Sequence, residues 1–466
     1  MAKDLRTFID QVVKERPDDL YRVEREVDPR LELTGVISKL EDQGRYPAVH
    51  FERVKGSKIP VMCNVMAAYE RLALSLETDL EHMVEEYARR EASPIPMKEI
   101  PAKNAPVREV ILTGNDAQLA LLPIPVHNEL DSAPYISSGL AIVKDPDSGQ
   151  QNVGIYRHEV QGPQQLGCYF DPAHHAYHVW KKWSERGKET DCAIAIGHHP
   201  AVVMGSVSRL LGIGGEFEVA GGLCGEPVEV VRGETVDLLV PAWAEIVVEG
   251  KVIPNEERYE GPFGEWPGYY SGEGPKPYMR VTAITMRKDA IYQDIFAAHA
   301  EHRVAGGLPR MGSVFRMVKG ACPNVRAINM PMSGCARAAC YISIKKLADG
   351  EPNKAGMAAL ITENDLKLII VVDDDINVFN EQEVLWALAT RFEADRDVVV
   401  LPNTLGLQLT PTAYDYTRIG HGRMNTKLIL DATRPAPPAK FPKRAVVPKE
   451  ITDQINLEQY LKRYVG

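Results

Sequence analysis

No stretch of this sequence approaches the roughly 18 uninterrupted apolar residues that a bilayer-crossing helix takes. Its opening, MAKDLRTFID, is charged and lacks the apolar centre of a signal peptide, so no membrane span and a cytoplasmic location are expected. Basic charge is in deficit. Against 64 Asp and Glu stand 54 Lys and Arg, a net charge of −10 with no long basic run, which argues against a nucleic-acid partner. Cysteine is sparse as well: Cys63, Cys168, Cys192, Cys224, Cys322, Cys335 and Cys340 are scattered and never form C-x-x-C. Reduced, buried thiols fit that spacing better than a disulfide frame or a zinc site. Common cofactor signatures are missing too. LGIGGEF (211–217) lacks G-x-G-x-x-G spacing after a strand, and neither a Walker A motif nor G-x-S-x-G occurs, so NAD, ATP and serine hydrolysis lose ground.

What is present is an ordinary globular composition, 44% hydrophobic over 466 residues, enough for two or three cores. In LETDLEHMVEEYARR, Thr78 and Glu81 have capping-box spacing, and Leu80, Met83, Val84 and Tyr87 recur at helical intervals. SPIPMKEIPAKNAP (93–106) carries four prolines and reads as a crossing between units. From about 108 to 300, short strand-like runs follow, among them REVILTG, SGLAIVK, NVGIYRHEV, AVVMG, VEVVRG and YMRVTAITMR. Turn signals such as DPDSG separate them, which predicts an antiparallel barrel or sandwich. After about 310 the pattern changes. ISIKK, LKLIIVVDDD and DVVVLP read as strands; NKAGMAALIT and NEQEVLWALATRF, with an Asn380…Glu383 capping box, read as helices around a largely parallel sheet. The proline-rich tail 434–450 precedes a last short helix near ITDQINLEQYLKRYV.

Candidate chemistry gathers in the β region. Arg157 shares a strand face with Val153 and Ile155, beside apolar neighbours, and a buried guanidinium there needs an anionic partner. A surface arginine at a strand end is the alternative. Its best partners are Glu260 and Glu265 in EGPFGEWPGYY (260–270), where glycine and proline forbid a regular helix. A solvated surface loop is the bland reading of that segment. Phe263, Trp266, Tyr269 and Tyr270 argue instead for a packed one, in which two carboxylates acquire different proton affinities, an acid/base arrangement. His174, His175 and His178 crowd PAHHAYHVW; with Asn152 and the Glu216/Glu218 pair they make a donor set suited to Mn²⁺ or Mg²⁺, although each taken singly reads as structural. His198 and His199 read as structural, and Asp373, Asp374 and Asp375 as capping residues after a buried strand.

NVGIYR, EFEVAGGLCGEPVEVV, VPAWAEIVVEG, EGPFGEWPGYYSG, VVDDDINVFNEQEVLWALATR and MNTKLILDATRP together resemble the UbiD family of decarboxylases, in nearly this order and over almost the whole chain. The resemblance implies an α+β, multidomain α/β protein. An N-terminal α/β region (1–107) would precede a split β-barrel, flavin-reductase-like domain for prenylated FMN (108–308) and a C-terminal α/β oligomerisation domain (309–466). It implies catalytic roles for Arg157, Glu260 and Glu265. Asn152, His175 and Glu216 would be the ligands of Mn²⁺ or Mg²⁺, with His174 as the alternative, and a K⁺ ion would accompany them. Asn152, Arg157, His175, Ser206, Ser208, Glu216 and Lys427 would hold the cofactor, Lys427 at its phosphate. The implied reaction is reversible, non-oxidative decarboxylation of an aromatic or heteroaromatic carboxylic acid through a covalent substrate–cofactor adduct, with Glu265 as proton donor. Implied partners are a UbiX-type flavin prenyltransferase as cofactor supplier, further copies in a homodimer or homohexamer, and a small D-type subunit like that accompanying hydroxybenzoate and vanillate decarboxylase C subunits. An FMN-dependent oxidoreductase and a non-catalytic assembly subunit are the competing readings.

Overall fold

The computed structural model of the protein describes residues 2–172, 174–209, 214–406, 409–416 and 423–461. It is an α+β architecture built on a nine-stranded sheet. Along that sheet Tyr135–Ile136, His158–Gly162, Gln165–Cys168, Gly274–Met286, Ile246–Glu260, Thr190–Ile196, Leu140–Lys144 and Gln151–Ile155 follow one another, and Val110–Thr113 pairs on Gly274–Met286. Each of these pairings is antiparallel. The path is open: among the described residues its first and last strands do not pair, so the sheet is not a closed barrel.

Strand sequences here are continuously apolar because both faces are covered. Leu140, Ile142, Ala193, Ala195 and Val247 enter one core, while Ala141, Val143, Cys192, Ile194, Ile196, Ile246 and Val248 enter another. Alternate side chains of one strand therefore serve two different interiors. Tyr292–Asp294, read from sequence with the middle strands, instead runs parallel to Val61–Cys63 and completes a four-stranded sheet with Leu20–Val23 and Ala48–Phe51. The C-terminal sheet is mixed rather than largely parallel. Ala339–Ile344, Leu368–Asp373 and Arg423–Ala432 are parallel neighbours, whereas Val325–Asn329 and Val398–Gly406 pair antiparallel at its edges.

Three local expectations change. AVVMG is not a strand: Pro200 begins the helix Pro200–Gly205, and the His199 ring accepts from the Ala201 amide at its N-terminus. The Thr78 capping box does not form, because Asp79 takes the His82 amide and the helix starts later, at Met83–Glu91, burying Met83, Val84 and Tyr87 as expected. At Glu381–Arg391 the Asn380 side chain does cap, but through the Gln382 amide. The tail carries two short helices, Lys449–Thr452 and Leu457–Tyr460; the predicted helix beyond 461 lies outside the described residues.

The longest helix among the described residues, Ala300–Ala321, is not marked by a helical hydrophobic period in the sequence. Gly306, Gly307, Pro309 and Gly312 interrupt its pattern. The packing explains two of them. A Cβ on Gly307 would lie 2.6 Å from the Tyr69 hydroxyl, and one on Gly312 would lie 2.4 Å from Cδ1 of buried Tyr87. Glu301, fully buried at the helix start, accepts the Asn64 and Met66 amides at 2.5 and 2.8 Å and so ties this helix to the N-terminal sheet.

Gly320 on the same helix has nothing within 4 Å of an added Cβ. Gly320→Ala should therefore be neutral or raise the thermal midpoint, since alanine in a helix is favoured over glycine by about 0.5–1 kcal/mol. Gly312→Ala should lower the midpoint, with overpacking against Tyr87 costing about 1–3 kcal/mol. Equal midpoints for the two variants in a thermal melt would refute this account of the helix packing.

Candidate active site

Arg157 sits at the bend between Gln151–Ile155 and His158–Gly162, so the expected single strand is broken at Tyr156 and Arg157. The break turns the guanidinium into the interior. Glu260 is the last residue of the strand Ile246–Glu260; Glu265 occupies the turn of a small hairpin, Phe263–Gly264 paired with Tyr270–Ser271. Within that turn the Glu265 amide donates to the Tyr269 carbonyl (2.9 Å) and the Gly268 amide to the Glu265 carbonyl (2.8 Å). Gly268 has φ 85°, which glycine adopts without strain. Phe263 and Trp266 are buried, as a packed loop requires, but Tyr269 and Tyr270 are exposed at its rim.

The three charged groups meet. Arg157 donates to both oxygens of Glu260, from Nε at 2.8 Å and Nη2 at 2.7 Å, and from Nη1 to Glu265 at 2.5 Å. Its Nη1 also donates to Ser271 Oγ at 2.9 Å, whose hydroxyl donates to the Phe263 carbonyl. The guanidinium carbon lies 3.7 Å from the Tyr169 ring centroid and 4.9 Å from that of Phe263. Relative exposures of 6% for Arg157, 1% for Glu260 and 7% for Glu265 put the cluster in a low-dielectric setting. Burial works against the Arg157 charge, yet Glu265 and Glu260 outweigh it and hold its pKa above the ordinary value. For Glu265 burial prevails over the Arg157 and Arg337 charges, and its pKa is raised. One carboxylate is thus gripped bidentately while the other, held through one oxygen, keeps a proton more readily than a solvated glutamate.

A cavity of about 370 Å³ opens beside this cluster. Asn152, Arg157, His174, His175, Ser206, Ser208, Glu216 and Glu265 line it. Asn152 Nδ2 donates to Glu216 Oε1 at 2.6 Å, leaving Asn152 Oδ1 and Glu216 Oε2 sealed from solvent with no partner. His174 Nδ1 is likewise unpartnered. Burial lifts the Glu216 pKa to about 7. A carboxylate oxygen, an amide oxygen and a neighbouring imidazole, buried without counter-charge, fit a hard divalent cation. Among the described residues no group of three or more His, Cys, Asp or Glu is arranged to hold a metal, so any such site would depend on the amide of Asn152.

Not every predicted residue joins the cavity. Lys427 is buried elsewhere, donating to the Leu360, Glu363 and Asn364 carbonyls at 3.3–3.4 Å, and it does not line the cavity. Ser206 Oγ donates to the Val203 carbonyl and Ser208 Oγ to Glu91. His178 is exposed, and Glu218 borders a different cavity. His198 and His199 border a third, small one, and Asp373 and Asp375 clamp Arg391 and Arg434 in ion pairs, whereas the next helix is capped by Asn380. Sequence reasoning missed Tyr169, Ser271, Arg209, His302, Arg310 and Arg337. The last two lie in AGGLPRMG and SGCARAAC, where a lone arginine among small residues is itself a signal of a buried charge.

Comparison with known proteins identifies the family. Residues 13–91, 98–300 and 303–432 match the N-terminal, Rift-related and C-terminal domains of 3-octaprenyl-4-hydroxybenzoate carboxy-lyase, UbiD. The chain belongs to the UbiD family. It is 32% identical to anhydromevalonate phosphate decarboxylase of Methanothermobacter thermautotrophicus over 92% of this chain and 97% of that one. The UbiD-class enzyme HmfF of Pelotomaculum thermopropionicum, solved in complex with FMN, is 37% identical with a TM-score of 0.90, covering 98% of this chain and 100% of that one. An evolved dimeric form of HmfF, in complex with prFMN, gives 36%, 0.87, 99% and 100%. Vanillic acid decarboxylase of Sedimentibacter hydroxybenzoicus, in open form with its truncated VdcD subunit, gives 30%, 0.87, 99% and 100%. The protein is a UbiD-family decarboxylase.

Removing one partner of a buried pair typically costs about 3–5 kcal/mol. Glu260→Gln should therefore lower the chemical-denaturation midpoint of this UbiD-family enzyme markedly, and Ser271→Ala, which removes one neutral acceptor, much less. Matched midpoints for the two variants would contradict the central place given to the Arg157–Glu260 pair.

Proposed function

We propose that this UbiD-family enzyme decarboxylates, reversibly, an aromatic or heteroaromatic carboxylic acid with prenylated FMN as its cofactor. The observation that carries the reading is the buried Arg157 held bidentately by Glu260 and singly by Glu265 at the wall of a cavity of about 370 Å³. Loss of CO₂ from an sp² carbon leaves a charge that side chains alone stabilise poorly; the flavin, when bound, supplies the electron sink. The residues do the remainder. Arg157, fixed in plane by Glu260 and flanked by Tyr169, presents its guanidinium to the substrate carboxylate. Glu265, its pKa raised by burial, holds the proton and delivers it to the carbon that CO₂ has left.

Asn152, Glu216 and His175, with His174 as the alternative, would hold Mn²⁺ or Mg²⁺ next to the cofactor phosphate. Their sealed, unpartnered oxygens support that assignment. Ser206 and Ser208 lie on the same wall. Lys427 would have to leave three carbonyls to reach a phosphate, so its assignment rests on the family resemblance alone. The K⁺ ion, a flavin prenyltransferase as supplier, a homodimer or homohexamer and a small D-type subunit belong to the same proposal. A second reading has a specific basis: a relative matching nearly the whole chain acts on anhydromevalonate phosphate, a non-aromatic acid, so an unsaturated aliphatic acid is the competing substrate class.

The test is co-expression with a flavin prenyltransferase, mass spectrometry of the released cofactor and a screen of aromatic and unsaturated acids for CO₂ release. Plain FMN with hydride-transfer activity would point to an oxidoreductase instead. In the loaded enzyme, Glu265→Gln should abolish turnover with folding and flavin absorbance intact. The pH profile follows from the sign of the Glu265 shift. Its raised pKa keeps the acid form present above the ordinary carboxylate range, and the rate of CO₂ release should fall as pH rises through that folded value. A Glu265→Gln enzyme that still turns over would refute the assigned role.

A further inference from the structure

The cavity carries more positive charge than this chemistry uses. Arg157 is matched by Glu260 and Glu265. Arg310 lies 3.3 Å from Glu363 and 3.5 Å from Asp365, and Arg209 lies 3.6 Å from Glu363. Arg337 has no such partner. Among the described residues it forms no ion pair, its Nε is sealed from solvent without a hydrogen-bond partner, and its one side-chain hydrogen bond runs from Nη2 to the His302 carbonyl at 3.3 Å. Arg310 Nε also lacks a hydrogen bond. Both guanidinium groups crowd the same backbone position: a Cβ on Gly306 would meet Arg337 Nη2 at 2.4 Å and Arg310 Nη1 at 2.9 Å. Two cations packed over one glycine, one of them with no carboxylate in direct contact, is an unfavourable arrangement that an anion between them relieves. Burial, followed by the Arg310 charge, lowers the Arg337 pKa to about 9, against the opposing charges of Asp365, Glu363 and Glu265, none of which forms an ion pair with it.

Position decides which anion. The Arg337 guanidinium lies 5.2 Å from the Trp266 ring centroid, next along the chain from Glu265, and its charge acts on Glu265. Arg209, by contrast, acts on His174 and His175, at the end of the cavity assigned to the cation and phosphate. Arg337 therefore stands at the proton-donor end, where substrate rather than cofactor phosphate would lie.

We propose that Arg337, with Arg310 beside it, is a subsite for a second anionic group on the substrate, so that the preferred substrate is an aromatic or unsaturated acid bearing an additional carboxylate or phosphate monoester. This rests on reading the cavity as the decarboxylation site. The forked donors of two arginines suit either group.

The experiment uses enzyme co-expressed with a flavin prenyltransferase and measures binding by calorimetry alongside CO₂ release. The probes are benzoate, benzene-1,3- and 1,4-dicarboxylate, and 4-carboxyphenyl phosphate. A charge-assisted contact should make at least one dianion bind about tenfold or more tightly than benzoate, and the dicarboxylates against the phosphate ester show which group is taken. Arg337→Met should remove that preference with flavin absorbance unchanged, and Arg337→Lys should restore part of it. Dianions that bind no better than benzoate to the unaltered enzyme would overturn the proposal, whether or not the variants fold. So would an unchanged preference in Arg337→Met, or loss of bound flavin in that variant, which would assign the guanidinium to the cofactor. CO₂ release without dianion preference removes only the subsite. No CO₂ release from any acid by enzyme of verified cofactor mass removes the proposed function, while the binding ratio still tests the subsite.

Discussion

The site turns on one demand: a guanidinium placed inside a protein has to be surrounded by anions and hydrogen-bond acceptors. Arg157 meets it with Glu260, Glu265 and Ser271. Desolvating these charges costs several kcal/mol per ion, and only good geometry recovers it. The surrounding structure can be understood as the means of securing that geometry. A strand ends at Glu260, a hairpin turn presents Glu265, and buried Phe263 packs its ring on Tyr135 at 4.5 Å so that the hairpin does not swing away. A regular helix would have set the spacing of the two carboxylates by its pitch. The hairpin sets each one separately, Glu260 by the sheet and Glu265 by the turn, so the two can differ in burial, partners and proton affinity.

That separation bears on the proposed chemistry. Glu260 is held through both oxygens by Arg157. Glu265 is held through one oxygen, and burial favours its neutral form. The same arginine can therefore stay charged against Glu260 throughout while Glu265 changes protonation state, without the cluster ever burying an unmatched cation.

Much of this was legible in the sequence, for reasons that particular residues illustrate. Arg157 stood out because its strand neighbours are apolar, and Glu260 and Glu265 because their loop is too rich in aromatic, glycine and proline residues to be merely solvated. The apolar strands of the central sheet were recognised by their punctuation at turns. What stayed hidden was set by contacts distant in sequence. The helix Ala300–Ala321 contains four glycines and a proline that break helical patterns, and Gly307 and Gly312 become intelligible only once Tyr69 and Tyr87 are seen packed against them. AVVMG has the composition of a strand and is helical because Pro200 and the His199 ring begin a helix there. Lys427, expected at a phosphate, donates here to carbonyls at the end of a helix. That outcome could not be inferred from residues near it in sequence.

The long helix also explains how one catalytic core could serve different acids. Arg157 and the strand bearing Glu260 belong to the nine-stranded sheet, whose two faces are fixed by two cores, so changes there disturb both interiors at once. Arg310 on the helix Ala300–Ala321, and Arg337 just before the strand Ala339–Ile344, line the same cavity from outside that sheet. Side chains on that wall can change without altering the Arg157–Glu260 contacts, although the Arg337 charge is felt at Glu265. Arg337 there has no carboxylate in direct contact, and its structural contacts are the His302 carbonyl and the Trp266 ring. On the proposed reading that guanidinium answers to what enters the cavity, and so bears on the substrate more directly than any feature of the sheet.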